Sequence, residues 1–186
     1  PLGIKRWWWE EDQAGHTTGG FGLHLSTPDL AKFGQCLVDG GKWRGEQVIP
    51  MEWVAEATKL QAETKPFYPP EATEDSNGYG YQFWMCRRGG FRCSGLFGQL
   101  CYVRPDDDLV IACSSSTAGS KALLDPLYGV LFGEAEGRDA MADKLGVDQI
   151  PTPAGLAFGG SLSMERLAGF HPCVAGGFEG IDVGFD

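Results

Sequence analysis

The chemistry available to this chain starts with its cysteines, histidines, clustered acids and a short glycine-flanked segment. Cys36 falls in a helical pattern, and Cys86, Cys93, Cys101 and Cys113 fall in strand-like runs. The closest two of the six cysteines, Cys86 and Cys93, are seven positions apart. A zinc site calls for tight pairs such as Cys-x-x-Cys, or for cysteine and histidine together. No metal is therefore expected, and the cysteines read as buried free thiols. His16 and His24 stand eight residues apart with no carboxylate at ligand spacing, so both read as structural. His171 lies in a weakly patterned tail and carries no signal. Asp106-Asp107-Asp108 are consecutive, whereas a calcium-binding hand loop alternates its acids; they read as a solvated turn. Gly95 and Gly98 bracket Leu96-Phe97 just before a strand-like run. Either they let another group approach the backbone closely or they mark a strand bend or bulge. Tyr79 and Tyr81 alternate with Gly80, so both can face one side, packed or lining a cleft. Trp7-Trp8-Trp9 cannot all face one way, so at least one is expected to pack inward. Together with Trp43, the others are candidates for core and loop packing or a cleft wall.

Composition narrows the classes. The 186 residues hold 15 basic and 25 acidic side chains, a formal net charge of −10. That balance argues against nucleic acid and against an anionic membrane surface as partners, since both need a basic patch. No run reaches the roughly 18 apolar residues that a membrane-spanning helix requires. Hydrophobic residues at 42% and aromatics at 12% exclude a disordered chain, because burial of that surface offsets the entropy of ordering. A chain of this length can build a core without disulfides. Its unpaired-looking cysteines weakly favour a reducing, cytoplasmic compartment, and no secretory leader is legible. The sequence opens on Pro1-Leu2-Gly3 without a methionine and reads as the interior of something longer.

The elements that must position these residues follow from pattern. Residues 1–25 read as an extended loop. Ser26-Thr27-Pro28-Asp29 is a helix start, with Thr27 as the cap, Pro28 in the first turn and Asp29 at the positive end of the dipole. Leu30, Phe33 and Leu37 recur at helical spacing and Gly40-Gly41 stop the helix. A short turn over Gly41–Gly45 leads to a second helix over about Met51–Leu60, with Trp53, Val54 and Ala57 on one face. Residues 61–78 read as a loop. Strands are expected over Tyr79–Cys86, Phe91–Ser94, Gln99–Arg104 and Leu109–Ser114, with a turn at Pro105–Asp108. A last helix is expected from about Asp125, or slightly earlier, to Phe132, with Leu124, Leu127, Tyr128 and Leu131 on its apolar face and Pro126 early in it. This order predicts an α+β fold, with helices packed on one antiparallel sheet. Residues 1–136 read as one domain part, and 137–186 as a linker and partial extension ending in an interrupted strand.

Taken in order, these segments resemble the C-terminal half of the serine β-lactamase-like hydrolases. That group includes class C β-lactamases, penicillin-binding D,D-peptidases, family VIII esterases and 6-aminohexanoate-dimer hydrolases. The resemblance rests on Pro1-Leu2-Gly3-Ile4, on Gly19 through Gly34, on Gly41-Lys42-Trp43-Arg44-Gly45 and on Ile49 through Val54. It continues through Gly78-Tyr79-Gly80-Tyr81-Gln82-Phe83-Trp84 and Gly95-Leu96-Phe97-Gly98-Gln99, followed by Val103-Arg104-Pro105. No one of these is specific; their order and spacing over residues 1 to about 132 carry it.

The resemblance implies a β-lactamase/transpeptidase-like fold, an antiparallel sheet flanked by helices. It also implies an acyl-enzyme hydrolase of amides or esters that uses no cofactor. Such an enzyme needs a Ser-x-x-Lys nucleophile turn, a Tyr-x-Asn base and a strand whose backbone binds the oxyanion. Ser-x-x-Lys is not in this chain: Ser116 has Gly119 three residues on, and Ser120 is directly followed by Lys121. None of Tyr79, Tyr81, Tyr102 or Tyr128 has Asn at the second position after it. The first two elements are expected upstream, on a missing N-terminal half, which makes this chain inactive alone. The third element is implied at Gly95–Gln99. If Gly98 matches the motif's last glycine, Leu96 and Phe97 replace the usual Lys and Thr or His. A charged hold on a substrate carboxylate is then lost, which shifts the implied substrate to an apolar ester, amide or peptide. The N–H of Gln99 becomes one of two oxyanion donors, each worth about 2.7–4 kcal/mol in the transition state. Gly98 lets substrate approach, and Gly95, Leu96, Phe97 and Tyr81 are the implied substrate contacts. The rival reading is a non-catalytic binding or interaction module of the same fold. An unrelated domain with accidental similarity is a third.

Overall fold

A computed structural model describes residues 1–68, 74–116, 121–133 and 173–175. Its centre is a five-stranded antiparallel sheet of β5 (Trp84–Met85), β6 (Phe91–Gly95), β7 (Gln99–Arg104), β8 (Leu109–Cys113) and β9 (Cys173–Ala175), hydrogen-bonded in that order. The predicted α+β class holds. β9 comes from the region read as a linker and extension.

The sheet buries both faces, which is why Leu100–Val103 of β7 and all of β8 are apolar and buried. Alternation sends Leu100, Tyr102, Leu109, Ile111 and Cys113 to one face, where they meet Leu123, Leu124, Leu127 and Tyr128 of helix α3 (Lys121–Phe132). Cys101, Val103 and Val110 go to the other face, with Phe91. There they meet Leu37 of α1 (Thr27–Val38) and Val54 and Ala57 of α2 (Met51–Ala57). Gly34 lets α1 lie close on the sheet: a Cβ there would stand 2.6 Å from Val110 Cγ1 and 2.7 Å from Cys101 Sγ.

Several expectations need correcting. The cap of α1 is Ser26, whose Oγ accepts from the Asp29 N–H and donates to Asp29 Oδ2. Thr27 is already helical, and its hydroxyl is paired with Ser114 instead. Residues 1–25 are not merely a loop. β1 (Trp7–Trp9) pairs with β2 (Leu23–Leu25), Trp8 opposite His24. Trp7 and Trp8 are 62% and 58% exposed, on opposite faces of the two-stranded ribbon, while Trp9 is half-buried and its indole N–H donates to the Phe21 carbonyl at 3.0 Å. The turn over Gly41–Gly45 is a small hairpin, β3 (Lys42–Trp43) with β4 (Glu46–Gln47), its turn made by positive φ at Arg44 and Gly45. Helix α2 ends at Ala57, and Trp53 points out rather than joining Val54 and Ala57. Pro126 is the sixth residue of α3, not an early one.

The expected strand over Tyr79–Cys86 shrinks to Trp84–Met85. Gln82 takes φ of +68° and the Gly80 N–H donates to the Phe83 carbonyl, so residues 80–83 form a tight turn. A Cβ on Gly80 would meet the Ala57 carbonyl at 2.3 Å, which explains why the chain can fold back there.

Candidate functional site

The segment Gly95–Gln99 is the β6–β7 hairpin. Gly95 pairs with Gln99, leaving Leu96, Phe97 and Gly98 as a three-residue loop. Loops of this length need a left-handed residue, and the loop has two, Phe97 at φ +62° and Gly98 at φ +83°. The glycines thus mark a hairpin reversal, and β7, third of five strands, is not a sheet edge. Leu96 and Phe97 are presented to solvent, 79% and 62% exposed, while Gly98 is buried.

The hairpin is braced from the end of β8. The Ser115 hydroxyl lies 2.9 Å from the Gly98 carbonyl and 3.3 Å from that of Phe97. In return, the Gln99 side-chain amide donates to the Ser115 carbonyl at 2.9 Å. Its neighbour Ser114 shares a 2.8 Å hydrogen bond with Thr27 at the start of α1. Helix start and hairpin tip are therefore both tied to the segment that follows β8, through Ser114 and Ser115. The run Ser114-Ser115-Ser116 after an apolar strand was the available signal, since such hydroxyls bond nearby backbone.

Tyr81 sits at the tip of the 80–83 turn, 43% exposed, its ring stacked on the exposed Trp53 at 5.6 Å and 20°. Tyr79 lies edge-on to Trp84 at 4.7 Å instead, so the two tyrosines do not share one wall. Antiparallel pairing of Trp84 with Arg92 and Met85 with Phe91 sends the chain before β5 along β6 toward Gly95.

On the α3 side lies a polar network that the sequence reading did not foresee. Arg92, with zero exposure, donates to the Met85 carbonyl and pairs with Asp75. Its guanidinium also faces the Trp84 ring at 5.5 Å. Glu74, 3% exposed, accepts from the Arg87 N–H, Arg87 Nε and the Tyr128 hydroxyl. An arginine at a strand position was the one visible sign of it.

Burial disfavours the thiolate at the core cysteines. Burial pushes Cys93 up to about 12 and Cys86 and Cys113 up to about 11, and raises Cys101 well above its ordinary value. A thiol held protonated at neutral pH neither attacks nor ligates metal readily. Cys36, Cys86, Cys93, Cys101 and Cys113 are all free, as expected of them. Among the described residues no three His, Cys, Asp or Glu cluster as metal ligands, and no helix is long and apolar enough to cross a membrane. His16 bonds to Asp12 and His24 packs on Trp8 at 4.6 Å. Asp107 pairs with Arg104 at 2.6 Å within the Pro105–Asp108 turn.

No family model and no curated protein matches the sequence. Solved structures do match. A protein from Bacillus anthracis, provisionally named a 6-aminohexanoate-dimer hydrolase, superposes at a TM-score of 0.53 with 24% identity. The alignment covers 80% of this chain and 37% of that one. The chain carries part of the β-lactamase-like fold. The α1–sheet–α3 sandwich just described is a portion of that fold. The chain thus spans little more than a third of the length of the solved protein it matches.

Proposed function

We propose that this chain is the sheet-and-helix part of a serine hydrolase that cleaves amide or ester bonds through an acyl-enzyme. The observation that carries the reading is a partial β-lactamase-like fold whose β6–β7 hairpin presents two exposed apolar side chains on a braced backbone. In the intact protein a serine from outside these 186 residues attacks the substrate carbonyl. Its proton passes through Lys and Tyr bases to the leaving alcohol or amine, and water then releases the acid. The Gln99 N–H holds the oxyanion as one of two donors. Gly98 keeps the approach open, and Gly95, Leu96, Phe97 and Tyr81 contact an apolar ester, amide or peptide. The exposed Trp7 and Trp8 support the same reading, as apolar surface left for the rest of such a protein to cover.

The departure at Leu96-Phe97, where the family uses Lys and Thr or His, favours a second reading, a binding module without turnover. Chromogenic cephalosporins and p-nitrophenyl esters separate them. This chain alone is expected to turn over neither. A longer reading frame, extended upstream of Pro1, is expected to show Ser-x-x-Lys, with Tyr-x-Asn about a hundred residues later in the family's manner, and to hydrolyse one class. A longer frame without those motifs decides for the binding module. Turnover by this chain alone, abolished by a change within 95–99, overturns the placement of the nucleophile outside these residues.

A further inference from the structure

We propose that Ser115 is the positioning residue of the β6–β7 hairpin tip, fixing the peptide planes that the hydrolase reading uses. The inference rests on that reading for its purpose and on hydrogen-bond geometry for its substance. A trans peptide unit is planar, with its carbonyl and its N–H on opposite sides. Holding the carbonyl of one therefore aims its N–H. The Ser115 hydroxyl holds the Gly98 carbonyl, which belongs to the same peptide unit as the Gln99 N–H. It also reaches the Phe97 carbonyl, whose peptide carries the Gly98 N–H that donates to Gly95 at 3.3 Å.

The tip needs such a brace. Phe97 is a bulky residue at positive φ, a conformation that persists only when its surroundings fix it. Its side chain and that of Leu96 are largely exposed and supply little packing. The bond from the Gln99 amide to the Ser115 carbonyl closes a reciprocal pair, so strand end and hairpin hold each other. Ser114 ties the same segment to Thr27 at the start of α1. Position information thus runs from the helix start through two adjacent serines to the hairpin whose backbone the hydrolase reading offers to substrate. Serine fits this role because its hydroxyl is short and donates to a carbonyl without reaching past it.

Amide exchange and nitrogen-15 relaxation of this chain test it. In Ser115→Ala the Gly98 amide is expected to exchange about fivefold faster, the loss of one ordinary hydrogen bond. Leu96–Gln99 should gain nanosecond motion, while Tyr102 and Val103 in the middle of β7 keep their protection. Ser115→Thr, which keeps the hydroxyl, is expected to restore the tip. Unchanged tip amides in the alanine variant, or a threonine variant that behaves like alanine, overturn the assignment. So does loss of protection across the whole sheet, which would make Ser115 a general stabiliser instead. These readouts need no turnover, so a failure of the hydrolase reading is seen separately, in the ester and cephalosporin assays. In a longer protein that does hydrolyse, Ser115→Ala should lower kcat with KM little changed, and Ser115→Thr should recover it.

Discussion

Replacing Gly34 by alanine tests how tightly α1 is seated on the sheet. The new Cβ would stand 2.6 Å from Val110 Cγ1 and 2.7 Å from Cys101 Sγ, distances that real Cβ contacts do not reach. Neither neighbour can retreat, because both have zero exposure on the central strands β7 and β8. Overpacking of a filled core costs about 1–3 kcal/mol, and two contacts on immobile atoms put this site in the upper half of that range. Alanine returns about 1 kcal/mol through its better helix propensity. The net is a destabilisation of about 1–2 kcal/mol. For a chain of this length that lowers the unfolding temperature by about 2–4 °C per kcal/mol. Urea unfolding followed by circular dichroism measures it directly. Val110→Ala removes the offending methyl, so the double variant should be more stable than the sum of the two single changes, by about 1 kcal/mol. A Gly34→Ala chain as stable as the starting protein, or additive behaviour in the double variant, would refute the close seating of the helix.

The remaining expectations concern the buried network and the buried acids. Arg92→Ala removes a fully buried guanidinium from Asp75 and the Met85 carbonyl and should cost about 3 kcal/mol. Arg92→Met, which keeps the apolar stem, should cost less; an alanine variant within 1 kcal/mol of the original by urea titration would refute a structural role for the network. Alkali should destabilise the fold before neutral groups elsewhere respond. Burial raises Cys86, Cys93 and Cys113 to about 11–12 from the ordinary 9.0, so the unfolded chain loses protons first. Stability is then complete below pH 9 and falls as pH rises toward 11. Urea midpoints at pH 7, 8, 9 and 10 check this, and a flat profile through pH 10 counts against it.

Legibility in the sequence followed how local the determinants are. The run Gln99–Arg104 ends where Pro105-Asp106-Asp107-Asp108 must turn, and the strand has those bounds. Ser26-Thr27-Pro28-Asp29 announces a helix whichever of Ser26 and Thr27 caps it; the choice falls to Ser26 because Ser114, far along the chain, engages Thr27. The strand expected over Tyr79–Cys86 failed for a similar reason. Its alternation is real, but the backbone reverses at Gln82, where only the contact of Gly80 with the end of α2 shows that it must. Of the tryptophan triplet Trp9 is half-buried while Trp7 and Trp8 stay exposed, because a two-stranded ribbon is too small to cover three indoles. The 95–99 segment was found by its glycines, yet its brace at Ser115 lies sixteen positions beyond Gln99 and no spacing rule connects them.

The seating of α1 also sets the order in which the molecule can form. Leu30 accepts a hydrogen bond from the Cys101 thiol 71 positions away, and Thr27 meets Ser114 at a separation of 87. A twelve-residue helix is marginal by itself in water, so α1 gains its stability only after β7 and β8 exist to receive it. Closing a loop of that length costs about 4 kcal/mol of chain entropy before any packing offsets it. Gly34 on α1 is then a late contact: changes there should act mainly by speeding unfolding, while changes within the β6–β7–β8 meander should act by slowing folding.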